Sequence, residues 1–377
     1  MAPEEPPAPP GGGLLQHLRL GHRVTIALAV VLTAASAVLV VLSADPVARF
    51  AVAGLDLAAM AALVGQAIDQ VGERLGPGPT GLLQSTLGNL PELFVGIFAL
   101  SSGLTEVVRS ALVGSVLGNA VLVLGMAFVA GGLRHGTQRF EPEAPRLNGS
   151  LLLLVVAALL VPTLASRLGT PAAAHAGALS DDCAVILLIV YAFSVPYHLR
   201  RREADSPGSG EPGFDGAATD PEEGAWPLRL SVALLALGSA GAALAADWFV
   251  GPLESATRTL GLSQTFTGLV VVAISSNAVE HAVGIRFALK AKPEYAISTT
   301  LNSPLQVALL LTPLLVLLST VVGPTQLTLV FPPLLVAAMA ISAIVVTVVI
   351  YDGEYTWIEG VALIALYCML AASFWWG

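Results

Sequence analysis

The chain has 377 residues, 55% hydrophobic and only 11% charged, with a mean hydropathy of +0.80 and a formal net charge of −9. A soluble domain carries about 25% charged residues, so a soluble fold of this length, which needs a polar surface to cover it, is excluded. The apolar residues come in runs of about 20, the length that crosses a bilayer core, and an all-α polytopic membrane protein is expected.

Residues 1–23 open with MAPEEPPAPPGGG, acidic and proline-rich, without the basic n-region of a signal peptide, and read as a disordered tail. Eleven transmembrane helices are expected, over 24–43, 49–75, 79–101, 106–132, 148–167, 180–200, 226–250, 264–290, 294–321, 326–350 and 356–376. With the N-terminus in the cytoplasm and the C-terminus outside, 13 of the 17 Lys and Arg fall inside and four (Arg49, Arg109, Arg167 and Arg258) fall outside. A missed span would invert every later loop, so the count and the orientation support each other. Trp226 and Trp248 bracket the seventh span, and Trp357 and Trp375 the eleventh, each pair about 27–33 Å apart as an aromatic belt requires.

Residues 201–225 form a hydrophilic segment between the halves. From Glu203 to Gly224 it holds seven acidic residues and no basic one. It reads as a solvated cytoplasmic linker, with a calcium-attracting or regulatory role as the sharper alternative. Cys183 and Cys368 lie inside apolar runs, so neither a disulfide framework nor a cysteine zinc site is implied. The net charge comes partly from the linker and implies no nucleic-acid partner. High Ala, Gly and Leu with Arg far above Lys is bacterial GC-rich usage, which points to the inner membrane.

The halves resemble each other. TGLLQSTLGNLPELFVGIFAL (80–100) matches TGLVVVAISSNAVEHAVGIRFAL (267–289) at Thr-Gly-Leu, Asn-x-x-Glu and Phe-Ala-Leu. A second polar patch follows in each, GSVLGN (114–119) and NSPLQ (302–306). Spans two to six (49–200) thus pair with spans seven to eleven (226–376), with the first span (24–43) extra. Five is odd, so the repeats enter the membrane in opposite directions. Such inverted repeats build many secondary transporters, with the substrate site near the midplane between them.

An ionisable residue inside a span costs several kcal/mol unless it is paired or faces a polar cavity. Glu92 and Glu280 are such residues, at matching places in the two halves. Two carboxyls in one dry site cannot both stay ionised alone, so they hold protons or a cation. One divalent ion and about two protons can compete for such a pair. The neighbours suit a hard cation, which takes oxygen ligands. Asn89 and Asn277 precede the glutamates by three residues and share their helix faces. Ser115, Asn119, Ser303 and Gln306 add oxygens from the next spans, and Thr86, Ser275 and Ser276 could add more. Each alone serves helix–helix hydrogen bonding equally well; their clustering round the glutamates favours ligation. Pro91 and Pro304, lacking N–H groups, are expected to free the carbonyls of Leu87 and Thr300. His281 could relay protons or bond a partner carboxylate, and equally could be a packing residue. Asp69 and Asp247 lie nearer span ends and read as interface-anchored acids, with an access path as the alternative. No H-E-x-x-H, G-x-S-x-G or P-loop motif occurs, so no enzyme is expected.

LGNLPELFVGIFAL, NAVEHAVGIRFALK, GSVLGNAVLVLG and NSPLQVALL together resemble the signature segments of the calcium/cation exchanger superfamily, in its cation/proton (CAX-type) branch. The similarity runs over about residues 50–376. It implies Ca2+/H+ antiport by alternating access, with Ca2+ as transported substrate rather than cofactor, and membrane lipid, Ca2+ and H+ as partners, with no nucleic acid. By position Glu92 and Glu280 match the family's ion-binding acids, and Asn89, Asn277, Ser115, Asn119, Ser303 and Gln306 its supporting polar residues. The sequence departs from the pattern at Ser276 and Asn302, which replace glycines, and at Pro91 and Pro304. These leave ion selectivity open: Na+/Ca2+ exchange and Na+ or K+/H+ antiport on the same fold are the alternatives. Oligomeric state is not legible.

Overall fold

The structure, a computed structural model, describes residues 20–75, 83, 87–205 and 226–376, with the backbone alone at 73–75 and 197–205. The tail to residue 19, the linker from 206 to 225, the Thr80–Leu82 part of the first repeated motif and Thr86 lie outside the described residues.

A span in lipid must satisfy every backbone group within itself, and the apolar runs accordingly fold as helices. In chain order they are α1 (Leu20–Val41), α2 (Pro46–Leu75), α3 (Leu90–Ser101), α4 (Thr105–His135), α5 (Glu143–Arg167), α6 (Ala176–Asp205), α7 (Leu228–Val250), α8 (Leu253–Leu260), α9 (Gln264–Ser276), α10 (Ala278–Leu289), α11 (Pro293–Val322), α12 (Pro333–Val349) and α13 (Trp357–Ser373). Among the described residues, seven are long and apolar enough to cross a membrane, or eight if α8 and α9, bent by 117°, count as one; α3, α12 and α13 are shorter apolar helices. The chain is thus a polytopic all-α membrane protein. α6 carries helix five residues beyond the expected end at 200, into the start of the linker.

The core lies where α4 and α11 are enclosed by their neighbours. Leu117, Val121, Leu124 and Phe128 of α4 and Leu309, Leu315 and Val316 of α11 are all essentially inaccessible. By contrast α1 buries only Ala29 and Ser36. Backbones come unusually close where α9 crosses α4: a Cβ added at Gly268 would stand 2.6 Å from the carbonyl oxygen of Val107, and one at Gly114 would overlap the backbone of Leu269. Only glycine permits that approach.

Two loops deserve a physical account. The tenth expected span begins at Pro333 instead of 326, because the preceding segment is an extended strap. Its alternate amides at Leu327, Leu329 and Phe331 donate to Ser319 Oγ (2.8 Å), Ser180 Oγ (2.9 Å) and Thr163 Oγ1 (3.1 Å). Hydroxyls from three helices replace the helical bonds the strap forgoes. Arg109 Nε holds the same strap through the Thr328 carbonyl at 3.2 Å. Elsewhere a two-residue antiparallel ladder, β1 (Gln138–Arg139) with β2 (Glu354–Tyr355), ties the loop after α4 to the loop before α13. Tyr355 then stacks on Phe128 with ring centroids 3.9 Å apart.

The tryptophans divide. Trp357 and Trp375 are about half exposed, as belt residues are, but Trp226 is fully buried. Its indole N–H donates to His22 Nδ1 at 3.1 Å, and its backbone N–H to Gln70 Oε1 at 2.7 Å. Trp226 is therefore an anchor fixing the start of α7 to α1 and α2, and the belt reading of it is corrected.

Gly268→Ala is expected to cost about 1–3 kcal/mol by overpacking against α4, read as a lowered thermal unfolding midpoint of the purified protein in detergent. An unchanged midpoint would contradict the close approach.

Candidate cation-binding site

The site is built on two helix breaks with the same local form. Asn89 precedes α3 with φ −91°, ψ 16°, and Asn277 lies between α9 and α10 with φ −104°, ψ 13°. Each is followed by a 12-residue helix whose first turn carries a glutamate, Glu92 and Glu280. The positive end of each helix dipole therefore lies beside its own carboxyl. Pro91 sits in the first turn of α3, where a missing N–H costs nothing. The break at Asn89, not a proline-freed carbonyl within one long span, is the feature that opens the backbone here. Pro304 does lie inside a helix.

Neither asparagine side chain caps its own helix; both reach across the molecule. Asn89 Nδ2 donates to Gln306 Oε1 at 2.8 Å. Asn277 Nδ2 donates to Ser115 Oγ at 3.0 Å, and Asn277 Oδ1 accepts from Asn119 Nδ2 at 2.9 Å. Asn119 Nδ2 is also 3.2 Å from Ser303 Oγ. Ser115, Asn119, Asn277 and Ser303 thus form one network that alternates between the halves, and Asn89–Gln306 a second link. In α4 and in α11 this polar patch runs directly into a π-helical stretch, Gly118–Val123 and Val307–Leu311. Such bulges shift the register of the helix and are frequent at functional sites.

The network leaves oxygens without donors. Glu92 is 7% exposed, and Oε1 and Oε2 both lack a hydrogen-bond partner, as does Oδ1 of the fully buried Asn119. Glu92 lies near enough to Glu280 to feel its charge. A buried carboxyl without a donor is costly unless a proton or a cation meets it. The arrangement is therefore rich in oxygen acceptors and short of hydrogens, which suits a hard cation or protons in exchange.

The two glutamates differ in access. Glu280 lines a cavity of about 810 Å3, together with Asn89, Asn302, Ser303 and Gln306. That cavity runs past Gln66 to Asp69 and Arg286, with Leu28 and Leu32 of α1 in its wall. Glu92 lines instead a separate small pocket with Ser115, Ser276 and Leu315.

Among the described residues, every supporting residue expected from the sequence belongs to one of these groups, except His281, Asp247 and Ser275. His281 is buried, with Nε2 unpartnered, and faces Gly118 in the π-helical stretch of α4. Asp247 is exposed near the end of α7, whereas Asp69 lines the cavity. Ser275 lies against Gly54 of α2. Sequence reasoning missed Asn148, whose Nδ2 donates to Asn302 Oδ1 at 2.9 Å, and Gln66. It also passed over Asp56, fully buried in α2. Asp56 carried a plain signal, an acid inside an apolar run, while Asn148 and Gln66 are neutral and carried a weaker one.

Comparison with known proteins follows the same lines. The family model described as sodium/calcium exchanger protein matches residues 23–199 and 230–376. A Ca2+/H+ antiporter of Synechocystis sp. is 35% identical over 335 residues, covering 86% of this chain and 90% of that protein. The Ca2+/H+ antiporter ChaA of Bacillus subtilis is 31% identical over 326 residues, 86% of this chain and 91% of that one. Among solved structures, native YfkE aligns with a TM-score of 0.77 and 29% identity, over 93% of this chain and 99% of that one.

If the alternating network is one unit, Asn119→Ala and Asn277→Ala should not add. A double-mutant cycle on thermal stability is expected to give a coupling of about 0.5–3 kcal/mol, and strict additivity would show the two amides to be independent.

Proposed function

The chain belongs to the sodium/calcium exchanger family, and from that premise we propose that it exchanges Ca2+ for H+ across a membrane by alternating access, with Glu92 and Glu280 as the shared site for both ions. Relatives covering most of this chain are named Ca2+/H+ antiporters. The observation that carries the reading is the Glu92 carboxyl, buried beside Glu280 with no basic partner and only the Ser276 hydroxyl and its own helix's N-terminal amides near its oxygens.

The mechanism follows from competition. Ca2+ entering by the cavity meets Glu280 first, with the carbonyl oxygens of Asn89, Asn302 and Gln306 beside it. Joining it to Glu92 neutralises both carboxylates and supplies the donor-poor oxygens with their missing partner. Two protons achieve the same neutrality. Only a neutralised site is cheap to carry through a dry interior, so the protein changes access loaded with one ion type or the other. Protons on the far side displace Ca2+, and affinity for Ca2+ falls as that side is acidified. Glu280 on the large cavity and the buried Glu92 on a small separate pocket correspond to one end of that cycle, the inward-facing one.

In the proposed topology eleven spans cross the membrane, one extra and two inverted sets of five, with the N-terminus inside. Loop contacts support this parity. The inner loops meet each other, at β1–β2, at Arg146 Nε with the Tyr351 carbonyl (2.9 Å) and at His135 with the Leu289 carbonyl (3.0 Å). Contacts between outer segments pair likewise, as at Arg109 with Thr328 and Ser263 with the Phe374 carbonyl. In two sets of five spans, the matching broken helices enter from opposite faces. An inner membrane of a bacterium is the location proposed.

Glu92→Gln and Glu280→Gln are each expected to abolish proton-coupled Ca2+ uptake in everted vesicles, and flux retained in both would refute the shared site. A survey of Ca2+, Na+ and K+ in proteoliposomes should dissipate a proton gradient with Ca2+ foremost; a response to Na+ or K+ alone would transfer the same geometry to a monovalent antiporter. A cysteine placed at Asp69 should react with an impermeant maleimide in everted but not right-side-out vesicles, and the reverse pattern would overturn the orientation.

A further inference from the structure

Helix α1 lies outside the two five-helix sets and touches the rest along a narrow seam. Its only buried residues are Ala29 and Ser36, and with Thr33 they form a stripe at i, i+4 and i+7 on one face. Against this stripe stands Asp56 of α2, at 0% exposure. On its own helix the nearest basic residue is Arg49, about two turns toward the N-terminus, and no ion pair joins it to Asp56. Between Val24 and Val41 α1 has no titratable side chain, and α7, which flanks α2 on the other side, has none between Leu230 and Ala246.

The hydrogen inventory of Thr33 is informative. Its Oγ1 lies 2.8 Å from the carbonyl oxygen of Ala29 and 2.7 Å from Asp56 Oδ1. Both distances are those of full O–H···O bonds. A threonine hydroxyl owns one hydrogen, and a carbonyl can only accept. If Thr33 donates to Ala29, the hydrogen in the other bond comes from Asp56. Were Asp56 ionised, one hydrogen would be divided between two acceptors. Its Oδ2, already buried without a partner, would then be bare charge in the hydrocarbon region, at a cost of several kcal/mol. Ser36, one turn further along α1, adds only a second hydroxyl beside the same carboxyl.

We propose that Asp56 is a proton-holding carboxyl, neutral and fixed, that donates its proton to Thr33 and thereby fastens helix α1 to the transport core. It is a positioning residue: α1 contributes Leu28 and Leu32 to the wall of the cavity that ends at Glu280, so the fastening holds that wall in place. This proton is distinct from any bound at Glu92 and Glu280, because Asp56 has no exposed surface and no acidic or basic neighbour to pass it on.

The test is spectroscopic first. In lipid-reconstituted Glu92→Gln/Glu280→Gln protein, infrared absorption should retain a protonated-carboxyl C=O band that persists in alkaline buffer. The band should vanish when Asp56→Asn is added. No such band, or one that titrates away like a solvent-exposed acid, would overturn the proposal whatever ions the protein exchanges. In the otherwise native chain, Asp56→Asn keeps a donor for Thr33, so Ca2+ uptake should stay within about twofold of native. Asp56→Ala and Thr33→Val should each lower the thermal midpoint, since loss of one partner of a buried hydrogen bond costs about 1–3 kcal/mol. Loss of uptake in Asp56→Asn with folding intact would show that this proton moves during transport, and would also overturn the proposal.

Discussion

The structure depends on the cost of a carboxyl in a dry interior. Glu92 is buried with no basic partner and only the Ser276 hydroxyl and its own helix's N-terminal amides near its oxygens, and Glu280 lies beside it. A soluble protein would settle this with an arginine or a ring of amide donors. Here the nearby side-chain amides are committed elsewhere: Asn277 donates to Ser115, Asn89 to Gln306, Asn119 to Asn277. The hydrogens that could neutralise the glutamates are thus withheld by the protein's own network. Under the proposed exchange, a cation or protons make good that deficit, and the affinity for both has one origin.

The same network explains how two halves can share a site and still move. Nearly all of its links join one half to the other, and all of them are between neutral groups. Neutral amide bonds contribute about 1 kcal/mol each, enough to define a register but not to lock it. The π-helical stretches that follow the polar patches in α4 and α11 are the other concession. They leave the backbone less regular where side chains must be aimed, and a third such stretch, Thr267–Val272, carries the close glycine contact of α9 with α4 at Gly268. The two similar half-helices differ in access, Glu280 lining a cavity of about 810 Å3 and the more buried Glu92 a small separate pocket.

Much of this was legible in the sequence because hydropathy and charge act at the scale of a whole span. The polytopic all-α architecture needed only runs of about 20 apolar residues, and Glu92 and Glu280 stood out against them. What was not legible is local. The break at Asn277 lies inside a run whose hydropathy is continuous, so a single span was read where α9 and α10 stand. The strap before α12 is as apolar as a helix and is extended only because Ser319, Ser180 and Thr163, remote in sequence, satisfy its amides. Trp226 reads as a belt residue until His22 and Gln70 are seen to hold it. In each case the deciding partner lies in another helix, and no window of sequence contains it.

Asp56 sharpens what makes an intramembrane acid functional. Burial does not distinguish it from Glu92, since both are essentially inaccessible. Company does. Glu92 has a second carboxyl within electrostatic reach and no basic partner, so two like groups compete over how one site is neutralised. Asp56 has a hydroxyl at 2.7 Å and no charged neighbour; one protonation state satisfies it and the other does not. An acid that can be content alone fastens helices, and an acid that cannot be content without a visitor binds one. On that ground the carboxyls of this chain divide by their neighbours rather than by depth in the membrane, which is the basis for proposing exchange at the pair and a structural role for the third.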